Sequence, residues 1–168
     1  MTVVLRVSDK DLLAFREACG RIAYMRDSGR CMYCFWVRGR GVIPASETDH
    51  VFGRGSEYNL APEHWLTRLS LCWDCHYQKH HGKDGWWDQQ REEEALFQAN
   101  ARPAAGCWNP REIEAIVAPG MVNLLEESRR AAAKMVVDSV RDMMREQLGS
   151  YFDEYEREFH EALQCPEK

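Results

Sequence analysis

No apolar run in the 168 residues approaches the ~20 needed for a membrane-spanning helix. Nor does the opening segment, MTVVLRVSDKDLL, have the charged-then-apolar order of an export signal, so a cytoplasmic protein with no membrane partner is expected. There is no internal repeat and no low-complexity tract, which removes repeat arrays and compositionally biased linkers from consideration. An excess of positive charge is also missing. The net charge is −5, which argues against a chain that coats nucleic acid by charge alone. What is present, 45% apolar and 29% charged residues, is ordinary for a globular chain of one compact domain, with or without an appended segment.

The charge is unevenly spread. Residues 1–85 hold 12 Lys/Arg against 10 Asp/Glu, whereas residues 86–168 hold 10 against 17. The front half is therefore the part able to face phosphates. Helical patterning follows a similar division. Ser8 is a good N-cap with Asp11 three residues later, and Leu12, Phe15, Cys19 and Ile22 make one apolar stripe that ends at the turn residues Asp27-Ser28-Gly29. From Cys31 to about Gly85 the helical period is lost among glycines, metal-type ligands and short β-prone runs. Asp88 to Asn100 regains it, and ARPAAGCWNP reads as a linker. Apolar residues at 121, 125, 132, 136, 140, 144 and 148 then define an amphipathic helix interrupted by Ser128. Gly149 and Ser150 read as a stop and a new N-cap, before a second stripe of Phe152, Tyr155, Phe159 and Leu163. These helices either fold back on the front half or pair with a second subunit.

Two C-x2-C knuckles, Cys31-Met-Tyr-Cys34 and Cys72-Trp-Asp-Cys75, stand 37 residues apart. In a reducing cytoplasm such pairs are metal ligands before they are disulfides. Together they complete a closed tetrahedral shell of four thiolates, the donor set of a structural Zn²⁺ with no open position. Cys19, Cys107 and Cys165 lack such spacing, and Cys19 on the apolar stripe reads as a small core residue.

The histidines need another explanation. If residues 73–83 are helical, His76 and His80 lie one turn apart on one face, and two imidazoles so placed can bind one ion. His81 points roughly 100° away. A surface or satisfied core side chain is the plainer reading of any single histidine, and it is the one given to His64 and His160. An added carboxylate would make a mixed N/O set with positions left for water and phosphate.

The combination of Cys31, Cys34, the Asp49-His50 pair, the following GRG, and Cys72-x-x-Cys75-His76 with Lys79 resembles the HNH endonucleases. The likeness covers about residues 31–83. It implies a small ββα-metal HNH core with zinc knuckles over 29–86; with the helical patterning on either side, the chain is expected to be α+β, mostly helical, with an N-terminal helix over 1–28 and an acidic helical region over 87–168. It further implies that Asp49, His76 and His80 hold one catalytic divalent metal (Mg²⁺, Mn²⁺, Ni²⁺ or Zn²⁺) and that His50 is the general base. An imidazole, with an ordinary pKa near ~6.5, suits that task at neutral pH. The implied substrate is DNA, cut or nicked to leave 3′-hydroxyl and 5′-phosphate ends. Short proteins of this type belong by analogy to phages, mobile elements or defence systems, in a bacterial or phage-infected cell.

The middle Asn of the family pattern is displaced. Its usual position, five residues before the second knuckle, is Thr67, while Asn59 lies thirteen residues before Cys72. Either residue is a candidate for pinning the loop across the site, and Asn59 is taken as the catalytic member. Arg54, between Gly53 and Gly55, and Lys79 are the expected phosphate contacts, with Lys83, Arg38 and Arg40 as weaker ones. Trp86 and Trp87 are expected to pack against the acidic half. The modest charge of the front half predicts that targeting is supplied by a protein partner, by a DNA structure, or by a second subunit in a homodimer through the C-terminal helices. The rival readings are a zinc-stabilised nucleic-acid- or protein-binding module with a vestigial HNH site, and a helical interaction protein with zinc as scaffold.

Overall fold

A computed structural model describes residues 7–56, 58–83, 85–104 and 106–149. Helix α1 spans Asp9–Arg26, where the Ser8 hydroxyl accepts from the Asp11 N–H at 3.2 Å and two aspartates occupy the first turn, complementing the helix dipole. Leu12, Phe15, Cys19 and Ile22 are all buried, as their spacing predicts. Gly20 faces the strand Glu47–His50 so closely that a Cβ there would lie 3.0 Å from Thr48 Oγ1, and its absence lets helix and strand touch. At the end of α1 the buried Arg26 guanidinium binds both oxygens of Asp27 and donates to the carbonyls of Trp65 and Arg68 and to Asn100 Oδ1. Asp27 Oδ2 in turn accepts from the Ser70 N–H at 2.9 Å. This fully paired charge network ties α1 to the sheet and to a later helix, which is how a buried arginine is tolerated.

The chain is α+β and mostly helical, with one two-stranded antiparallel sheet among the described residues. Strand β1, Glu47–His50, pairs with β2, Arg68–Leu71, so that Asp49 stands opposite Leu69 and His50 opposite Arg68. Between them, residues 51–67 form a long connection containing two 3-10 turns, Ala61–Glu63 and Trp65–Thr67. Strand alternation sends Thr48, His50, Arg68 and Ser70 toward α1, and Glu47, Asp49, Leu69 and Leu71 to the opposite face. On that opposite face lie the short helix α2, Met32–Trp36, and helix α3, Trp73–His81.

Helix α4, Gln89–Ala101, starts on an Asp88 cap that accepts from the Arg91 N–H. The segment expected as a linker is non-helical at its described residues between Ala101 and Pro110 and leads into a further helix, α5, Pro110–Val117, whose Asn109-Pro110 start uses proline where its missing N–H costs nothing. Helix α6, Val122–Leu148, runs through Ser128 without interruption: the buried hydroxyl donates back to the Leu124 carbonyl at 2.6 Å. It folds back on the front half. Leu125 joins Phe15, Ile22 and Trp65 in one core, and Val136 joins Tyr33, Leu71 and Leu96 in the other. Gly149 ends the helix at φ +56, while Ser150, His160, Cys165 and the stripe from Phe152 to Leu163 lie outside the described residues. Trp86 and Trp87 meet α2, where Trp87 stacks on Tyr33 at 4.0 Å and Trp86 lies under the Arg38 guanidinium, and both pack on the core to which Leu96 and Val136 of the acidic half contribute.

Candidate metal centres

The two knuckles come together. Cys31 and Cys34 flank the first turn of α2, Cys72 and Cys75 that of α3, and the four sulfurs all lie within 4.8 Å of one another. Cys34 Sγ is 3.5 Å from Cys75 Sγ and 3.9 Å from Cys72 Sγ. These values bracket the ~3.8 Å between sulfurs of a tetrahedral shell with Zn–S near ~2.3 Å. The Cys34 N–H points at Cys31 Sγ, a dipole suited to a thiolate. A hydrogen bond from Cys75 holds the Cys31 thiol at about 5, whereas burial and the neighbouring Cys31 charge push Cys34 up to about 12. One thiolate forms readily here, whereas Cys34 and Cys75 resist, so a set of four thiolates needs a cation to neutralise it. The cluster fits a metal ion and is consistent with a structural zinc.

A second cluster faces outward from the same helix. Asp49 on β1 and His76 and His80 on α3 offer ligand atoms all within 4.8 Å of one another. His80 Nε2 is 2.8 Å and His76 Nε2 3.8 Å from Asp49 Oδ2, and the two imidazoles sit 4.7 Å apart, as one helical turn dictates. Glu47, two residues before Asp49 and thus on the same strand face, lies 2.8 Å from His76 Nδ1. A carboxylate at one ring nitrogen leaves the other free to ligate, the usual outer support of a metal-binding histidine. Burial tends to raise the Asp49 carboxyl, but contacts with His50, Lys79 and His80 hold it well below the ordinary carboxylate range. A mixed N/O set, half open to solvent, is the chemistry of a site that keeps positions for exchangeable ligands. Here too the donor set fits a divalent cation.

His50 ends β1 beside this cluster, its Nδ1 3.7 Å from Asp49 Oδ1. On its far side Nε2 meets Glu63 Oε2 at 2.5 Å. Glu63 is wholly buried, with Oε1 accepting from the Gly55 N–H at 2.8 Å and Arg16 and Arg68 nearby at 3.0 and 3.5 Å. Burial pushes its carboxyl up, yet the His50 hydrogen bond, the Gly55 N–H and Arg16 outweigh that and hold it at about 2. Nε2 is thus held by Glu63, and Nδ1 is the ring nitrogen on the side of Asp49. A Cβ at Gly55 would lie 2.4 Å from the Asn59 carbonyl and 2.8 Å from Glu63 Cγ, so this glycine is needed for the protein's own turn.

Of the two candidates for the loop pin, Thr67 is buried, with its hydroxyl 2.7 to 3.1 Å from the carbonyls of Ala61, Pro62 and His64, and its own carbonyl accepts from the Val51 N–H. Asn59 is exposed, and its side chain accepts from the Ala61 N–H at 3.2 Å within its own turn. Arg54 is exposed and has no ion pair among the described residues. Lys79, expected at a phosphate, turns inward instead: its ammonium donates to the His50 carbonyl, is 2.6 Å from Glu92 Oε1 and 3.1 Å from Asp49 Oδ2. The reason is the buried Glu92 on α4, a partner thirteen residues away that helical spacing does not reveal. Cys19 is fully buried, its thiol raised to about 12 by burial. His64 is buried as well, accepts from the Leu66 N–H, and is held neutral at about 3 by burial.

Comparison of the chain with protein-family models, with curated proteins and with solved structures returns no match.

Proposed function

We propose that the chain is a metal-dependent endonuclease of the HNH type, hydrolysing phosphodiester bonds of DNA. Asp49, His76 and His80 would hold one divalent cation, which when bound supplies positive charge to the scissile phosphate and the departing 3′ oxygen. His50 removes a proton from the attacking water at Nδ1. Glu63 fixes the ring and its tautomer from the opposite side, the part played by a carboxylate behind a general base. Arg54, exposed at the head of the long connection, is the side chain available to a neighbouring phosphate.

One observation carries this reading. Nδ1 of His50 lies 3.7 Å from Asp49, the carboxylate of the open carboxylate–imidazole set, while Nε2 is anchored on a buried carboxylate. A histidine that served only the core would have no need of both. The test is incubation of purified protein with supercoiled plasmid and Mg²⁺, Mn²⁺ or Ni²⁺, beside His50→Ala. Cleavage by the parent and not by the variant supports the enzyme; equal cleavage by both, or none in any metal, removes it.

Lys79 favours a second reading. Its ammonium, 3.1 Å from Asp49 Oδ2, already supplies part of the positive charge a metal would bring. A zinc-stabilised binding module with a vestigial hydrolytic site follows if no divalent ion binds at Asp49, His76 and His80, which calorimetric titration of the zinc-loaded protein measures.

A further inference from the structure

The outer face of α3 carries a stripe that neither metal cluster uses. Trp73 and Tyr77 are 65% and 44% exposed, although large aromatic side chains are normally among the most buried. Their rings lie 5.1 Å apart and nearly parallel, at 17°, and His81 continues the row 5.3 Å from Tyr77. Residues 73, 77 and 81 form one helical stripe, and His76 and His80 form the next, roughly 80° around the axis.

The charge around the stripe is distinctive. Asp74 is paired with Arg38 at 3.3 Å, and Lys83 follows two residues beyond His81, exposed and without an ion pair among the described residues. Asp74 is the one carboxylate that α3 itself carries, and it is the one paired with Arg38, so a polyanion meets little repulsion from this helix. We infer that Trp73 and Tyr77, with His81, form a stacking platform for unpaired DNA bases, so that the substrate is single-stranded or locally opened DNA and not intact duplex. This deepens the nuclease reading and rests on it for the role of the neighbouring His76 and His80. Aromatic faces bind bases without regard to sequence, whereas a duplex keeps its base faces stacked inside and offers none. Aromatic rings explain the nucleic-acid face that the weak positive charge of the chain leaves unexplained.

Binding, not cleavage, tests the proposal. The full-length, zinc-loaded His50→Ala protein is titrated with fluorescent oligothymidine, with an abasic strand of equal length and with a duplex of equal length, no divalent ion being added. The abasic strand keeps the phosphates and lacks the π-faces. Oligothymidine should bind about tenfold tighter than the abasic strand. Adding Trp73→Ala and Tyr77→Ala should erase that difference, while Trp73→Phe with Tyr77→Phe should keep most of it. Both side chains are exposed, and an unchanged zinc content and melting temperature verify that the variants fold. Equal affinity for the two single strands, preference for duplex, or an undiminished difference in the double alanine variant overturns the proposal. So does a dimer that becomes a monomer on the double substitution, because the stripe then belongs to a second copy. A base-dependent difference with no plasmid cleavage in any metal leaves the platform standing and removes the nuclease; cleavage without base dependence does the reverse.

Discussion

The four-cysteine cluster and the Asp49–His76–His80 cluster meet at consecutive residues of α3, yet they differ in every property that decides what an ion does. Cys75 points inward and is fully buried, and Cys31 and Cys34 are buried with it. His76 and His80 point outward to partial exposure, with a carboxylate from a strand as third donor. A shell of soft donors closed off by core leaves no room for substrate, whereas a half-open mixed set does. The roughly 100° rotation per helical residue is what converts adjacent positions into a structural device and a candidate reactive one. One helix thereby lets the rigidity of the first site fix the geometry of the second.

Breaking the closed cluster should have the largest effect. Zinc binding contributes on the order of 10–16 kcal/mol to small zinc modules, so Cys34→Ser or Cys75→Ser should lose bound zinc and the cooperative melt together, as read by metal analysis and circular dichroism. Retention of a normal melt would mean that the front half holds its shape without the metal. His50→Ala, by contrast, should lower plasmid cleavage by roughly 10²–10⁴-fold and barely move the melting temperature, since Glu63 keeps Arg16 and the Gly55 N–H. A large drop in melting temperature would make His50 a structural residue.

Glu92 sharpens the comparison through pH. Burial raises its carboxyl from 4.5 to about 7, against the pull of Lys79. Between those values the unfolded chain has released the proton that the folded chain still holds, so stability falls as pH rises from about 4.5 to about 7 and is level above it. The parent should lose up to ~3 kcal/mol across that window, and Glu92→Gln should flatten the slope in melts recorded at successive pH values. Parallel slopes would show that Glu92 ionises normally. Thr67→Val should cost about 1–3 kcal/mol by stripping the donor from buried carbonyls. Asn59→Ala, at an exposed turn, should cost no more than about 0.5 kcal/mol. If Asn59→Ala proved the more damaging of the two in cleavage or stability, the loop would be pinned from the other side.

Local signals in the sequence carried a good part of this. Helix α1 was readable to within a residue because Ser8 caps it and its apolar stripe has no competing period. The knuckles and the His76–His80 turn were readable because their spacing is a property of a few consecutive residues. The missed features are tertiary. Glu63 reaches His50 across a long connection whose path no periodicity describes, and Glu92 draws Lys79 inward from another helix. Glu47 was the exception that a local rule supplies, since a residue two before Asp49 on a strand shares its face. Helix α5 was hidden by its own Asn-Pro start, which reads as a loop and serves as a helix N-terminus. Ser128 was read as an interruption because a serine hydroxyl is polar, although its bond to the Leu124 carbonyl lets it lie buried within the helix.

The most direct test of two distinct neighbouring spheres is a metal count on the parent and on His76→Ala. The parent should carry one tightly held zinc and take up one further, exchangeable Mn²⁺ or Ni²⁺ in titration, and His76→Ala should keep the zinc and lose the second ion. Loss of the tight zinc in His76→Ala, or uptake of the second ion undiminished, would contradict the division between the two sites.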